Sequence, residues 1–403
     1  MAVMSCTPMH DTYDVIIIGG AMMGSSVAWW LANDPAFQGR ILVVERDATF
    51  AQSSTAHTNS CIRQQFSEAL NVRISQFTVE FIRNLRANMG GDPRVDDLEI
   101  QDFGYLYLAD TEEKAAALRA AQAVQHSLGA GTRILSRDEI AQAFPFYDLD
   151  DITLGSHGTR DEGYWDGGAL FDWFRRKAVA AGVEYVDAEV SGIETAGSQV
   201  SSVMLASGQN LSCGHLVNAA GPRASHVAQM AGLTIPVEPR KRFTWVVKAV
   251  RPLDRVLPLT IDPSGVHFRQ DGPETYMIGA AADPDLAVDP DDFNMDHGRW
   301  ENHVWPIVAT RIPQFEALKI VTEWVGHYAY NTLDQNAILG SHGEIGNFYF
   351  INGFSGHGLQ QAPAMGRGLA ELITTGGFQT MHLSPFGYDR IAAGRPFGER
   401  AVI

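Results

Sequence analysis

The chain has 403 residues, enough for two domains with separate cores, and its 45% hydrophobic content with 39 glycines excludes a disordered or fibrous protein in favour of an α/β fold. Its formal net charge of −17 excludes a nucleic-acid face or an anionic membrane surface, since either requires a basic stripe. Cys6, Cys61 and Cys213 are isolated and no HExxH spacing occurs, so neither a disulfide framework nor a metal is expected.

Met1–Thr12 lacks the basic start and apolar core of a secretion signal and reads as a frayed end. No apolar stretch approaches the roughly 18 to 20 residues of a spanning helix, so a cytoplasmic location is expected. The run Tyr13–Ser26 (YDVIIIGGAMMGSS) then writes a strand, a tight turn and a helix start. Val15–Ile18 suits a parallel strand buried on both faces, Gly19 and Gly20 permit the turn, and Gly24 allows close helix–strand contact. Ala21 stands where the G-x-G-x-x-G fingerprint usually has its second glycine, and its one methyl still lets a pyrophosphate approach. Unpaired N–H groups around Met22, Met23, Gly24 and Ser25, with the helix dipole, would face the phosphates. The second strand, Ile41–Glu45, ends in a carboxylate placed to accept from both ribose hydroxyls and to repel a 2′-phosphate, which disfavours NADP.

Helical periodicity follows at Leu70–Met89 and Glu112–Leu128, with a strand at Gly104–Ala109 between them. After a helix at Ala169–Ala181 come short strands at Glu184–Val190, Gly192–Thr195, Val200–Ala206 and Leu211–Val217, the last two read as a hairpin. Phe243–Phe268 and Thr275–Gly279 are strand-rich, Asp283–Asn294 is an acidic loop with Pro284 and Pro290, and helix resumes at Arg299–Ile312. The last block repeats the first: strand Phe348–Gly353, turn Phe354–Gly358, helix Gln360–Thr375. Two strand–turn–helix units flanking a β-rich middle predict a Rossmann-like cofactor domain of residues 10–90, 150–238 and 322–385, with an inserted β-rich substrate domain of residues 91–149 and 239–321.

Leu216–Ala224 (LVNAAGPRA) brings a second small-residue turn toward something flat or phosphorylated. Together with the opening fingerprint it is similar to the NAAG motif of the D-amino-acid-oxidase and sarcosine-oxidase superfamily of FAD enzymes. Ser53–Ser67 (SSTAHTNSCIRQQFS) and Asn331–Pro385 resemble one subgroup of it, which holds the FAD-dependent oxidoreductase domain-containing proteins of mitochondrial complex I assembly and their bacterial relatives. The resemblance implies a glutathione-reductase-like, two-domain fold and FAD as cofactor.

Carried over by position, the resemblance places FAD on the fingerprint residues, on Glu45 and Arg46, on Ser53, Ser54 and Thr55, and on Ala219, Ala220 and Gly221. It adds the turn Gly353, Phe354, Ser355, Gly356, His357, Gly358, Leu359 and Gln360, where a helix N-terminus would stabilise negative charge at flavin N1 and C2=O. Thr332 and Asp334 match a T-P-D run near the flavin, with Leu333 in place of the proline. His57 matches an S-T-x-H run that tethers flavin in some relatives; non-covalent FAD is expected, with a His57 link as the alternative. Arg63 would grip a substrate carboxylate, Gln360 replaces a companion lysine, and Tyr328 or Tyr330 would face the substrate, with His357 near the amine. His267 and Arg269 share a strand face that sequence alone does not orient. The lysine credited with oxygen activation cannot be placed; Met277–Gly279 lies near its position. The implied function is oxidation of a small amine, an N-methyl or other secondary amino acid, with oxygen or a carrier flavoprotein or quinone as acceptor. A 2-hydroxy-acid dehydrogenase and a flavoprotein assembly factor are the alternatives.

Overall fold

The computed structural model describes residues 4–400. Two eight-stranded sheets organise them. The backbone of the first runs in the order Ile338–Ser341, Phe348–Asn352, Asn210–Asn218, Thr12–Ile18, Ile41–Glu45, Glu184–Asp187. The last five are mutually parallel, and their apolar runs are buried on both faces, as a sheet covered on both sides demands. The register pairs Ile18 with Val44 on one side and with Asn218 on the other, so the carboxyl ends of three central strands finish side by side. Ligands of open α/β sheets bind at that edge.

One face is covered by the helices Met22–Ala32, Ala69–Arg83, Gly167–Ala180 and Gly358–Thr375, packed through Val27, Trp29, Phe81, Phe174 and Met365. The other carries the antiparallel pair Val190–Ala196 and Gln199–Leu205 and the helix Ala224–Met230. The helices Met22–Ala32 and Gly358–Thr375 approach so closely that a Cβ at Gly366 would lie 2.1 Å from Ser26 Oγ.

In the second sheet the order is Leu318–Asn331, Val237–Ala249, Thr275–Ala281, His267–Gln270, Leu259–Ile261, Tyr105–Ala109, Leu154–Gly158, Thr132–Ser136. All neighbours are antiparallel except Leu259–Ile261 with Tyr105–Ala109. Leu106, Leu108, Trp245, Phe268 and Tyr276 form its core with Val304, Val308 and Phe315. By strand alternation Tyr105 and Tyr107 face the opposite way, toward the segment 57–66; the two-stranded ribbon Cys61–Ile62 with Gly163–Tyr164 closes that side.

Several expectations change. The N-terminus is not frayed from residue 4 onward: Ser5 bridges Val186 and the Met9 N–H donates to Glu184 Oε1 at 2.7 Å; Met1–Val3 lie outside the described residues. The helix read over Leu70–Met89 divides at Asn84, whose side-chain amide donates to the Glu80 carbonyl and competes with the helical ladder. The helix Arg299–Ile312 contains a π turn, Trp300–Val304, before Trp305–Arg311. Glu184–Val190 ends at Asp187, and Val190 opens the next strand. Val200–Ala206 forms the expected antiparallel hairpin with its successor and, through a tighter turn, a second one with the preceding strand. Leu154–Gly158, not read as a strand, lies wholly within the residue ranges expected for the cofactor domain and Leu318–Asn331 lies there in part, yet both pair in the second sheet.

Candidate functional site

At the carboxyl edge of the first sheet lies a cleft with about 1520 Å³ of atom-free space including its open mouth. Three of its walls are the segments that sequence reading singled out. The fingerprint contributes Gly19, Ala21, Met22 and Met23; the second turn contributes Ala219, Ala220 and Gly221; the late turn contributes Phe354, Ser355, Gly356, Gly358 and Leu359. Gly19 has φ +97°, and a Cβ there would sit 2.5 Å from the Ala219 carbonyl oxygen, so the first and second turns meet only through glycine. Helix Met22–Ala32 begins with no side-chain cap and no acidic residue in its first turn, the arrangement that leaves N–H groups for an anion. The Met22 N–H also donates to Thr55 Oγ1 at 3.3 Å.

Glu45 and Arg46 line the same cleft. Glu45 accepts from the N–H groups of Gly20 at 2.8 Å and Asp47 at 3.0 Å; burial raises its pKa, and those two N–H groups pull the other way. Gly20 and Gly24 do not line the cleft but shape it: the first fixes Glu45, and a Cβ on the second would fall 1.9 Å from the Gly19 oxygen. Asn218, fully buried, donates to the Ala224 carbonyl and accepts from the Ala220 N–H, so it folds the second turn. An uncapped helix start, a glycine cradle and a carboxylate at the second strand end together fit a dinucleotide.

Ser53, Ser54 and Thr55 line the cleft. Ser54 Oγ donates to the His327 carbonyl at 2.6 Å, which ties this loop to the second sheet. His57 does not line the cleft: its Nδ1 is 3.0 Å from the Ser53 carbonyl oxygen and its ring packs on Phe293. Asp334 is also away from the cleft, ion-paired with Arg390 at 2.7 Å, and with Thr332 it forms the expected turn without proline.

Arg63, His357 and Gln360 come together although 294 or more residues separate Arg63 from the other two. Arg63 is 3% exposed and lies over Phe66 at 4.6 Å, Tyr105 at 5.8 Å and Tyr107 at 6.0 Å. Its Nη2 is 2.9 Å from His357 Nε2, a pairing that requires His357 to accept and hence to carry no proton on that nitrogen. Gln360 turns its Oε1 to the Arg63 main-chain N–H at 2.9 Å, so it anchors the Arg63 backbone with the atom that cannot donate. None of the three lines the cleft itself; they stand behind the turn that does. Tyr330 is off the cleft, under the Arg240 guanidinium at 4.0 Å, whereas Tyr328 lines it and meets Gly356, where a Cβ would come within 2.5 Å of the Tyr328 ring. The buried Tyr107 hydroxyl has no hydrogen-bond partner among the described residues.

His267 and Arg269 both face the segment 57–66 through Asn59: His267 Nε2 is 3.2 Å from Asn59 Nδ2, and an Arg269 N–H donates to the Asn59 carbonyl. Burial pushes the His267 pKa down to about 4, so it is neutral at physiological pH, and Arg269 is balanced by Asp271 at 3.0 Å. Met277 contributes its sulfur to Arg269.

Sequence reading missed Tyr105, Tyr107, Phe66 and Glu162, which surround Arg63, and the strap that crosses the cleft. The only signal for the tyrosines was their alternation in a strand already recognised. The acidic loop Asp283–Asn294 was legible as a loop, but its partners are remote. Pro290 lines the cleft, Asp291 pairs with Arg46 at 3.5 Å and with Arg223, Asp292 pairs with Lys241 at 2.8 Å, and Asp285 pairs with Arg242 at 2.9 Å. Phe293 packs between His57 and His327.

Comparison with known proteins agrees with this architecture. The family model described as FAD dependent oxidoreductase matches residues 14–372. The Xenopus laevis protein called FAD-dependent oxidoreductase domain-containing protein 1 is 36% identical over 424 residues, covering 97% of this chain and 85% of its own. Sarcosine oxidase subunit beta of Rhizobium meliloti is 24% identical, covering 95% of this chain and 89% of its own. Among solved structures, L-proline dehydrogenase from P. horikoshii superposes with a TM-score of 0.81 at 24% identity, covering 96% of this chain and 100% of its own.

Proposed function

Because the chain belongs to the family of FAD-dependent oxidoreductases, we propose that it oxidises a small amino acid with a secondary or N-methylated amine, its carboxylate held at Arg63. The observation that carries this reading is a buried guanidinium in an aromatic cage beside the glycine turn that walls the cofactor cleft. Relatives named for sarcosine and L-proline oxidation support it, both being secondary amino acids. FAD would rest on the two glycine turns, Glu45, Ser53–Thr55 and the start of helix Gly358–Thr375, and when bound it supplies the acceptor for a hydride leaving the substrate C–H.

The chain's own residues bind, orient and hold protons. Arg63 and the Tyr107 hydroxyl offer donors to the carboxylate, and Tyr105, Phe66 and Tyr328 keep water from it. His357, unprotonated at the nitrogen facing Arg63, places no second positive charge beside the amine and so favours the neutral amine that hydride loss requires. Binding at a fixed angle supplies the orientation. Anaerobic addition of N-methyl amino acids should bleach the flavin absorbance where 2-hydroxy acids do not; bleaching by 2-hydroxy acids alone would reverse the assignment.

Holding of the cofactor is expected to be non-covalent. His57 points its Nδ1 at its own loop, so acid precipitation should leave yellow FAD in the supernatant, and flavin in the pellet would show a covalent link. The strap adds retention. Loss of its charge pairs in Asp291→Ala should raise the FAD dissociation constant about two- to fivefold, read by flavin fluorescence, with added salt doing the same to the wild type. The Arg223 hydrogen bond holds the Asp291 carboxyl below the usual range, so the clamp persists at mildly acidic pH and weakens only as pH falls through that lowered value. Salt-independent binding would show that the strap carries no weight.

One observation favours a second reading, an interaction factor that carries FAD. Val250, Val321, Ile320 and Trp305 are exposed at or near the edge strand Leu318–Asn331, remote from the cleft lining. That reading predicts no flavin bleaching by any small metabolite.

A further inference from the structure

Glu162 lies in the turn between strand Leu154–Gly158 of the second sheet and Gly163–Tyr164 of the two-stranded ribbon, and it is 1% exposed. Nothing in a polar turn of that kind requires a carboxylate to enter the core. Its Oε1 accepts the Gln64 main-chain N–H at 2.9 Å, and its Oε2 accepts the Gln65 side-chain amide at 2.9 Å. Gln65 in turn donates to the Tyr105 carbonyl at 3.0 Å, accepts the Ser156 hydroxyl at 2.8 Å, and takes the Arg63 Nε–H on its main-chain oxygen at 3.3 Å. The carboxyl therefore grips the two residues that follow Arg63, one of which receives the guanidinium directly. Room for it exists only because residue 158 is glycine: a Cβ there would lie 1.9 Å from Glu162 Oε2.

We propose that Glu162 is the positioning residue for Arg63, setting the guanidinium in its aromatic cage and thereby the affinity of the site for a substrate carboxylate. This rests on the reading of Arg63 given above and extends it to a residue that touches no ligand. Both carboxyl oxygens accept N–H donors, which the ionised form does fully and the protonated form does with one oxygen weakened. Burial pushes the Glu162 pKa up to about 7, with the Gln65 and Gln64 hydrogen bonds and the Arg63 charge opposing that rise and Asp161 adding to it; the group that feels Glu162 in return is Tyr107. The hold on Arg63 is thus complete above neutral pH and relaxes below it.

The test uses the FAD-loaded protein and benzoate, a carboxylate without an amine, followed by the change in flavin absorbance from pH 6 to 8. Wild type is expected to bind benzoate more tightly as pH rises across that range. Glu162→Gln, which replaces one acceptor by a donor facing the Gln65 amide, should bind about tenfold more weakly and lose the pH dependence, while its FAD content stays that of wild type. With an amine substrate the effect should fall on KM rather than on the limiting rate of flavin bleaching. Gln65→Met cuts the link without altering the carboxyl and carries the same test if Glu162→Gln folds poorly. Unchanged, pH-dependent benzoate binding in a folded Glu162→Gln or Gln65→Met protein overturns the proposal. If wild type binds no carboxylate and no amino acid bleaches it, the amino-acid reading fails first and this inference falls with it.

Discussion

Arg63→Ala should raise KM for the amino-acid substrate by about 100-fold, equivalent to ~2.7 kcal/mol of binding, while the purified protein stays yellow. The two halves of that result have different causes. FAD retention is expected because Arg63 does not line the cofactor cleft, whose walls are the glycine turns, Glu45 and the Ser53–Thr55 loop. The loss of affinity is expected because the guanidinium is withdrawn from water over Phe66, Tyr105 and Tyr107, where a charge-assisted pair is stronger than at a surface. Removing it also takes away a positive charge that opposes the burial cost of the Glu162 carboxylate, so a lower melting temperature should accompany the kinetic change. Arg63→Lys separates charge from shape. A lysine keeps the cation but cannot reach the Gln65 carbonyl, His357 and a carboxylate together, so most of the affinity should still be lost. The checks are anaerobic titration of flavin bleaching and the melting curve. An unaltered KM in a folded, yellow Arg63→Ala protein would remove Arg63 as the carboxylate anchor.

The cofactor half of the site was legible because it is made by local rules. A strand, a turn needing glycine and a helix start must be contiguous, so Thr12–Ile18, Gly19 and Met22–Ala32 stand together in sequence as in space. The late turn Gly353–Gly358 obeyed the same logic, and its match to a known motif brought it to the same cleft. The proposed substrate half is different. Tyr105, Tyr107, Glu162 and Arg63 meet through sheet order and the ribbon Cys61–Ile62 with Gly163–Tyr164, and no spacing encodes that order. Hence Gln360, which the resemblance places where relatives carry a lysine, gives its oxygen to a backbone N–H in the fold, and Tyr328 and Tyr330, which strand alternation makes equivalent, are told apart only once Gly356 is placed. The strand Leu154–Gly158 was missed for a related reason. Its two glycines and a histidine make a poor strand sequence, and the Gly158 that weakens it is the residue that admits Glu162.

Gly24→Val should yield a protein that purifies without FAD and melts lower whether or not FAD is added. The helical conformation of residue 24 is ordinary, so the cost is purely one of space. A Cβ would lie 1.9 Å from the Gly19 carbonyl oxygen and 3.1 Å from Ile17 Cγ2, the first of these being backbone that cannot swing aside. Relief requires helix Met22–Ala32 to retreat from strand Thr12–Ile18 by more than an ångström. On its other side that helix is pinned against Gly358–Thr375 by the Ser26 hydroxyl on the Ala362 carbonyl and the Trp30 indole on the Pro363 carbonyl. Overpacking of this kind costs about 1–3 kcal/mol, and the displaced helix start no longer presents its N–H groups to the diphosphate. Gly24→Ala should show the same losses in smaller measure, since the clash begins at Cβ. Gly346→Ala is the control: its Cβ would meet nothing within 4 Å and its φ is unstrained, so FAD content and melting temperature should match wild type. The ratio of flavin to protein absorbance and a melting curve with and without added FAD decide the matter. A yellow Gly24→Val protein of wild-type stability would mean that the strand and helix are not locked at this contact, and that the diphosphate is held by another part of the cleft.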